Sequence, residues 1–309
     1  MKILVVGAGS IGTRHRDNLE ALGAEVATSD LNPVRKSDYT NLHTAIKDFH
    51  PDAAVVAVPT HLHMDVAIEV ASHNMPLFIE KPVSHTMNGI DVLQRMLKVT
   101  GQWAVVGYSL RFHPALQIIK ELLPRIGTPL YARAEVGQYL PDWHPTEDYT
   151  KWYMAHEDQG GGALLDLSHE IDYMRWMFGD ISEAQGYVGK VSNLEMDADD
   201  LADIQTHHEN LPLGSIHMDL LDRSYNRRLR IVGSDATIAW EWDRSITLKA
   251  GEFIEYSAYK PDRNIQFIKE MEAFVKGVKS GIPHPTMATL DDGIEVLKTV
   301  LELKEQNGR

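Results

Sequence analysis

A glycine-rich turn near the start of the chain constrains the fold more than any other feature. Gly7, Gly9 and Gly12 form the pattern GxGxxG, directly after the apolar run Lys2–Val6 and directly before a segment with helical spacing. In such a strand-turn-helix unit the first glycine permits a tight turn, the second lets the backbone approach a pyrophosphate, and the third allows helix and strand to pack closely. The pattern therefore predicts a dinucleotide site. The alternative is a glycine-rich turn in a fold that binds another nucleotide or none.

The residues after this turn indicate which dinucleotide binds. Ser10 and Ile11 stand at the N-terminal end of the predicted helix, where free N–H groups and the positive end of the helix dipole attract phosphates. Asp30 ends the second predicted strand, 18 residues after Gly12. A carboxylate there accepts from the ribose hydroxyls and repels a 2′-phosphate, so NAD is the predicted cofactor. Arg35, a few residues further on, leaves NADP as the alternative.

Short apolar runs alternate with segments of helical spacing in the first part of the chain. This alternation is typical of a parallel sheet wrapped by helices, and continuous apolar runs indicate strands buried on both faces. The predicted fold class is therefore α/β, with an N-terminal doubly wound Rossmann domain over residues 1–117. Its predicted strands are Lys2–Val6, Glu25–Asp30, Ala53–Val58, Leu77–Glu80 and Trp103–Gly107, with helices at Ile11–Leu22 and Met64–His73.

The later part of the chain has a different pattern of apolar and polar residues, typical of half-buried strands separated by turn residues such as Gly233, Ser234 and Asp235. This pattern predicts a C-terminal α+β domain over residues 118–309 with a large, mainly antiparallel sheet. The segment Phe112–Leu123 is compatible with either half. The predicted strands are Tyr131–Leu140, Glu183–Val191, Ala202–His208, Ser215–Asp222, Leu229–Val232 and Thr237–Trp242, and the closing helices are Ile265–Val278 and Leu290–Leu303.

Composition excludes several kinds of partner. The 309 residues suffice for two domains, and 30 Lys and Arg stand against 44 Asp and Glu, a formal charge of −14. Such a chain is not expected to bind nucleic acid or an anionic membrane nonspecifically. The sequence contains no cysteine, which excludes disulfides, thiolate catalysis and Cys-type zinc sites and fits a reducing compartment. The apolar run before Gly7 is too short for a signal peptide or a membrane span, so a cytoplasmic location is predicted.

The segment Glu80-Lys81-Pro82 ends the fourth predicted strand. It lies at the carboxyl edge of the sheet, where open α/β sheets bind their ligands. From this edge Lys81 can donate to a substrate hydroxyl or carbonyl and stabilise negative charge that develops on oxygen. The alternative is that Lys-Pro simply ends the strand and begins a turn.

A second chemical segment, GGGALLDLSHEIDYMRWMFG, spans residues 160–179. Asp166, His169 and Asp172 recur every three residues and are expected to share one helix face. His169 is suited to take a hydroxyl proton, and a nearby carboxylate can orient its ring. The alternative is that Asp166 caps the helix and His169 is a core residue.

Aromatic residues are concentrated just before the glycine run, in PDWHPTEDYTKWYMAH at 141–156. Trp143, His144, Tyr149 and Trp152 are candidates for stacking on a sugar ring. An equal alternative is an aromatic loop that packs between subunits. Arg111, after the fifth strand, is a candidate for binding an acidic substrate group or for an ion pair at a domain interface.

Five segments together resemble the glucose-fructose oxidoreductase, inositol dehydrogenase and MocA (Gfo/Idh/MocA) family. They are GAGSIGTRH, VPTHLH, EKP, GYSLRFHP and GGGALLDLSHEID, in family order over nearly the whole chain. The resemblance implies that Lys81, Asp166 and His169 serve substrate binding and proton transfer. It also implies that the cofactor contacts residues of the second and third segments, which are Pro59, Thr60, His63, Glu80 and Lys81.

The chain departs from the family pattern at the second-domain helix. The family segment reads DxGxH, with four residues from Asp to His, whereas Asp166 and His169 are three apart and Ser168 replaces the glycine. Both spacings keep the pair on one helical face, but the direction of the imidazole differs. His61 and His63 also form an HxH, but no third zinc ligand is suggested by spacing, so no metal is predicted.

The sequence thus predicts an enzyme, an NAD(P)-dependent oxidoreductase that moves a hydride between nicotinamide and a hydroxyl or carbonyl carbon of a sugar, sugar derivative or polyol. The substrate is expected against the exposed face of the second domain's sheet, with His169 as base, Lys81 stabilising charge and Asp166 orienting one of them. The resemblance implies a homodimer or homotetramer. Two alternatives are an NAD-assisted glycoside hydrolase, also implied by the family, and a noncatalytic dinucleotide sensor.

Overall fold

The structure, a computed structural model, describes residues 1–143, 145–242, 244–258 and 262–309. These residues form two compact units. The first comprises Met1–Phe112 and Asn264–Leu297, and the second comprises His113–Arg263 and Lys298–Arg309. Within the described ranges no helix has both the length and the apolar character needed to cross a membrane.

The first unit is built on a six-stranded sheet in the order β14-β5-β4-β3-β1-β2, with β14 the one antiparallel strand. Strands β1 to β5 are parallel. Strands β3, β4 and β5 are wholly buried, as strands covered on both faces should be, whereas β2 begins with an exposed residue. The strands are β1 (Lys2–Val6), β2 (Glu25–Ser29), β3 (Ala53–Val56), β4 (Leu77–Glu80), β5 (Ala104–Gly107) and β14 (Ala288–Thr289). The helices are α1 (Ser10–Ala21), α2 (Leu42–Phe49), α3 (His63–Ala71), α4 (Ile90–Thr100) and α8 (Ile265–Ser280).

Helix α8 packs on the first unit, although the sequence prediction placed it in the second domain. Its Met271 and Phe274 are buried in one cluster with Phe78 of β4, and the rings of Phe78 and Phe274 meet edge to face at 5.7 Å. Helix α9 (Leu290–Gln306) begins in the first unit and ends in the second. Helix α5 (Pro114–Leu122), which the sequence left open, belongs to the second unit.

The second unit carries an eight-stranded sheet in the order β13-β12-β11-β10-β6-β9-β8-β7, antiparallel except for the pair β6 and β9. The predicted fold class is confirmed: a parallel Rossmann sheet and a large, mainly antiparallel sheet. The sequence prediction missed β12 and β13. The strands are β6 (Pro129–Gly137), β7 (Ile181–Gly189), β8 (Leu201–His208), β9 (Leu211–Asp219), β10 (Asn226–Gly233), β11 (Thr237–Glu241), β12 (Ser245–Ala250) and β13 (Phe253–Ala258).

The two faces of this sheet differ in character. Two helices, α6 (Ala163–Asp166) and α7 (His169–Phe178), pack on the face formed by apolar residues such as Ala202, Ile204 and Ile216. The residues between these on each strand point to the other face and are largely polar. Asp166 and His169 lie on these helices, and the position of the substrate against the exposed sheet face stays a prediction.

A row of alternating charges crosses the polar face of the sheet. In the strand register Asp203 of β8 lies opposite His217 of β9, His217 opposite Glu135 of β6, Glu135 opposite Arg228 of β10, and Arg228 opposite Glu241 of β11. Opposite charges on directly paired residues stabilise a sheet.

Candidate active site

The glycine turn has the geometry that its sequence predicts. Gly7 has a φ of +103°, and a Cβ there would collide with the carbonyl of Ala57. A Cβ at Gly12 would collide with the carbonyl of Gly7, so helix α1 can approach the turn only because this residue is glycine. Both positions therefore require glycine for the turn itself, independently of any ligand.

The space in front of α1 suits the phosphates of a dinucleotide. Gly9 caps the helix without a side-chain hydrogen bond, so the N–H groups of the first turn are available to an anion. The carboxylate of Asp30 accepts from the N–H of Ala8 at 2.7 Å and from that of Asn32 at 2.8 Å. The guanidinium of Arg35 is the nearest group to a Cβ built on Gly9, 3.6 Å from it. An acidic and a basic side chain thus flank the turn.

The other predicted cofactor residues follow neighbouring strands of the same sheet. Residues at the ends of four neighbouring strands are aligned in the sheet. They are Ser29 of β2, Val6 of β1, Val56 of β3 and, next to it, Ile79 of β4. The turns after these strands therefore meet at one edge. Pro59 is exposed at this edge, whereas Thr60 is buried. The edge of the sheet that carries the glycine turn therefore also carries the turn with Lys81.

Lys81 is the single accessible residue in the segment 77–84. Glu80, directly before it, is buried, and its two carboxylate oxygens have partners inside the protein. Oε1 lies 2.6 Å from Nε2 of His15 on α1, and Oε2 accepts from the N–H of Lys81 at 3.1 Å. The lysine side chain is thus presented from a turn whose backbone is tied to the sheet.

The buried side chain of His63 contacts the same turn. Its ring is 1% exposed, with Nδ1 2.8 Å from the carbonyl oxygen of Pro82 and Nε2 2.8 Å from that of Val58. Burial lowers the pKa of His63, so the neutral ring has one N–H to donate to one of these carbonyls. Both ring nitrogens therefore face backbone carbonyls, and the contact of His63 with the cofactor stays a prediction. Among the described residues no three His, Asp or Glu side chains form a cluster that could hold a metal.

In the second unit the glycine-rich segment presents one histidine. Every residue from 160 to 174 is buried except His169, which is partly accessible. The predicted common helix face of Asp166, His169 and Asp172 is wrong, because α6 ends at Asp166 and α7 begins at His169. His169 therefore occupies the first position of α7.

Tyr153 was not among the sequence candidates, yet it contacts one of them directly. Its hydroxyl donates to Oδ1 of Asp166 at 2.8 Å, and Asp166 is 3% exposed. A charge-assisted hydrogen bond to a buried carboxylate is stronger than one between neutral groups. Tyr153 belongs to the aromatic segment at 141–156, so the only sequence signal for it was its place in that segment.

A buried ion pair follows His169 immediately. Glu170 is fully buried, and Nε of Arg227 on β10 lies 2.8 Å from its Oε1. Burial raises the pKa of Glu170, and the positive charge of Arg227 opposes that rise. The pair joins the first turn of α7 to the sheet beneath it, and sequence reasoning missed it because the two residues are 57 positions apart.

The aromatic candidates for substrate binding use their polar atoms within the second unit. The indole N–H of Trp143 donates to the carbonyl of Gln138 at 3.4 Å, that of Trp152 to Glu147 at 3.1 Å, and the hydroxyl of Tyr149 accepts from the N–H of Glu195 at 2.9 Å. His144 lies outside the described residues. Arg111 is buried, and its Nη1 lies 3.3 Å from a carboxylate oxygen of Asp292 in the same unit.

The fold and the site define a dinucleotide-dependent oxidoreductase, and comparison with known proteins gives its family. The model of the oxidoreductase family with an NAD-binding Rossmann fold matches residues 1–108, and the model of the GFO/IDH/MocA C-terminal domain matches residues 117–239. The chain belongs to the Gfo/Idh/MocA family, and its cofactor is NAD.

Relatives and solved structures agree with this family. The chain is 27% identical to the myo-inositol 2-dehydrogenase of Thermotoga maritima over 314 aligned positions, which cover 92% of this chain and 90% of the relative. Levoglucosan dehydrogenase in complex with NADH has the same fold, with a TM-score of 0.87 at 18% identity over 100% of this chain and 97% of that one. The WlbA dehydrogenase of Bordetella pertussis, in complex with NADH and UDP-GlcNAcA, has a TM-score of 0.82 at 18% identity over 99% and 96%.

Proposed function

We propose that this protein is an NAD-dependent dehydrogenase whose substrate is a sugar, a sugar derivative or a polyol, and that Lys81, Asp166 and His169 carry the reaction. One observation supports these roles most directly. Lys81 and His169 are each the single accessible residue of an otherwise buried segment, at 77–84 and at 160–174. Charged and titratable side chains presented in this way can reach a ligand, whereas core residues cannot.

Each proposed residue has a distinct role. When bound beside the glycine turn, NAD would supply the hydride-transfer chemistry. His169 takes the hydroxyl proton as general base. Lys81 donates to the substrate oxygen and stabilises its negative charge. Asp166, held by the hydroxyl of Tyr153, orients the imidazole or the lysine. Lys81 belongs to the first unit, and Asp166 and His169 belong to the second.

The proposal includes a preference for NAD over NADP. The carboxylate of Asp30 stands beside the N–H of Ala8 in the glycine turn, where it accepts from ribose hydroxyls and repels a 2′-phosphate. Arg35 flanks the same turn at Gly9, and a guanidinium there attracts a phosphate. We therefore expect NADP to be used as well, at a higher KM than NAD. Pro59, Thr60, Ser10 and Ile11 line the same edge.

The substrate class rests on the relatives and on the aromatic segment. A relative at 27% identity is named for action on myo-inositol, and two structures of the same fold are named for action on levoglucosan or bound to a sugar nucleotide. Trp143, His144, Tyr149 and Trp152 stay candidates for contact with the substrate ring. For Arg111 the ion pair with Asp292 favours a structural role over an acidic subsite.

We further propose that the protein works in the cytoplasm as a homodimer or homotetramer. The polar face of the large sheet supports self-association, because it exposes large side chains among its charges that a second copy of the chain could cover. Apolar residues such as Tyr131 and Tyr187 are exposed on this face. Sedimentation at low and high salt tests this, since a monomer under both conditions would contradict it.

A substrate panel tests the proposed function. Inositols, aldoses, amino sugars, acidic sugars, sugar nucleotides and glycosides are supplied with NAD or NADP, and absorbance of the reduced cofactor is followed together with the release of free sugar. Accumulation of NADH with an oxidised product supports the proposal. Release of sugar from a glycoside without net NADH makes the protein a hydrolase, and NAD binding without turnover of any substrate makes it a sensor.

A further inference from the structure

Side chains from two helices hold the turn that carries Lys81. From α1, Nε2 of His15 lies 2.6 Å from Oε1 of Glu80, and Oε2 of Glu80 accepts from the N–H of Lys81. From α3, Nδ1 of His63 lies 2.8 Å from the carbonyl oxygen of Pro82. The backbone of the turn is therefore tied to the protein on both sides of Lys81.

The contact between His15 and Glu80 is sheltered from water. The His15 side chain is 0% exposed and that of Glu80 is 9% exposed. In such surroundings a hydrogen bond to a carboxylate is short and strong, because water does not compete for either group. An equally buried carboxylate without that partner would be costly. The position of Glu80 is therefore tightly determined by His15.

His15 also lies on the helix that begins at the glycine turn. Helix α1 starts at Ser10, directly after Gly9, so the same rigid element presents its N-terminus to the phosphates and its His15 to Glu80. The path from the phosphates to the lysine then runs through α1, His15 and Glu80 to the N–H of Lys81. All these groups belong to the first unit.

We propose that His15 and Glu80 are positioning residues that set the place of Lys81 relative to the bound dinucleotide. This inference rests on the proposed function, in which Lys81 touches the substrate. In this assignment both residues affect the substrate through the position of Lys81. Their effect is on turnover, because a displacement of about 1 Å at a reacting group can lower the rate by about 100-fold.

The competing explanation is that His15 only fills space in the core. Its ring meets that of Phe78 edge to face at 5.2 Å and that of Phe267 at 6.4 Å. Two substitutions separate the explanations. In His15→Phe an aromatic ring keeps the packing but cannot bond Glu80, whereas in His15→Gln an amide N–H can reach Glu80 but the packing is poorer. Packing predicts that Phe is the better replacement, and positioning predicts Gln.

The experiment measures kcat, KM and the dissociation constant for NAD in the full-length protein. We expect His15→Phe to lower kcat by about 100-fold, with the NAD dissociation constant within about 3-fold of wild type, and His15→Gln to recover most of that loss. Adding His15→Phe to Glu80→Ala should lower kcat no further, because both act through one contact. Asn18→Ala is the matched control, since Asn18 lies on the same helix and bonds Asn264 instead, and its kcat should be unchanged.

Three results would overturn the inference: wild-type kcat in His15→Phe, a higher kcat in His15→Phe than in His15→Gln, or independent losses that multiply in the double variant. Thermal melting of each variant identifies any that fail to fold. For such a variant, fluorescence of bound NADH and melting in excess NAD show whether folded protein is present at the assay temperature. Failure of the proposed function looks different, because wild-type protein would then turn over no alcohol.

Discussion

The hydroxyl of Tyr153 donates a hydrogen bond of 2.8 Å to Oδ1 of Asp166. This bond fixes a carboxylate at the end of α6, next to the two-residue interruption between α6 and α7, which begins at His169. A carboxylate that is held in one orientation can orient a neighbouring base or lysine with little loss of entropy when the substrate binds. Tyr153 thereby joins the aromatic segment to the proposed catalytic groups.

Removing this hydroxyl should affect turnover more than cofactor binding. We expect Tyr153→Phe to lower kcat by about 10-fold, the value of one hydrogen bond to a charged group, while the dissociation constant of NAD is unchanged. Tyr149→Phe is the control, since the hydroxyl of Tyr149 accepts from the N–H of Glu195 instead. Equal kcat losses in both variants would contradict a specific role for Tyr153.

Substitution of the proposed catalytic lysine should separate binding from chemistry. Lys81→Met keeps the apolar stem but removes the ammonium group, so NAD affinity should be nearly intact while kcat falls by about 1,000-fold or more. Titration of NADH fluorescence and steady-state kinetics measure the two effects. Turnover at the wild-type rate would refute the role given to this lysine.

The carboxylate of Asp30 should determine the choice of cofactor. In Asp30→Ala the repulsion of a 2′-phosphate disappears and Arg35 stays in place, so the ratio of kcat/KM for NAD to that for NADP should fall by at least about 10-fold. Adding Arg35→Ala should reverse the gain with NADP. An unchanged ratio in Asp30→Ala would show that the preference lies elsewhere.

The C-terminal part of α9 should stabilise the second unit through a buried ion pair. Lys304 is 8% exposed, and its Nζ lies 3.2 Å from Oδ1 of fully buried Asp199, whose Oδ2 accepts from the N–H of Leu164 in α6. Lys304→Met leaves that carboxylate unpaired and should cost about 3 kcal/mol in the free energy of unfolding. The exposed pair Lys276 and Glu272 provides the control, for which Lys276→Met should cost less than about 0.5 kcal/mol. Urea unfolding measures both, and similar costs would contradict the prediction.

His217 should make stability depend on alkaline pH. Its hydrogen bond to Asp219, and a second to Asp203, raise the pKa of His217 to about 9. Because the folded state holds this proton more tightly, the stabilisation is complete below about pH 6.5, the ordinary value for histidine. It is lost as the pH rises through about 9. Urea unfolding between pH 6 and 10 should show a smaller alkaline loss in His217→Gln than in wild type, and parallel curves would contradict this.

Much of the fold was predictable because it depends on local pattern. The buried runs of β1 and β3 and the glycine turn are encoded in adjacent residues, and their structure matches the prediction within a few positions. The unit on which α8 packs was not predictable, because an apolar helix face carries no information about which core it joins. Met271 and Phe274 pack with Phe78, nearly 200 positions earlier in the chain.

The candidate site shows the same division. Lys81, Asp166 and His169 were proposed from motifs, whereas the contacts of Tyr153, His15 and Arg227 join residues that only the folded chain brings near. The contact of His63 with the cofactor stays a prediction from the motif, and the structure shows that its ring nitrogens face backbone carbonyls. The helix break between Asp166 and His169 was missed because helical spacing alone does not show where α6 ends.

Neither compact unit is a continuous stretch of polypeptide, since the first regains residues 264–297 and the second is completed by residues 298–309. A fragment that stops at residue 112 lacks α8, and one that starts at residue 113 and stops at residue 297 lacks Lys304. Folding of either half must therefore wait for synthesis of about the last seventh of the chain. Attempts to express one half alone should yield aggregation-prone material, whereas loops inside a unit are better places to cut or to insert.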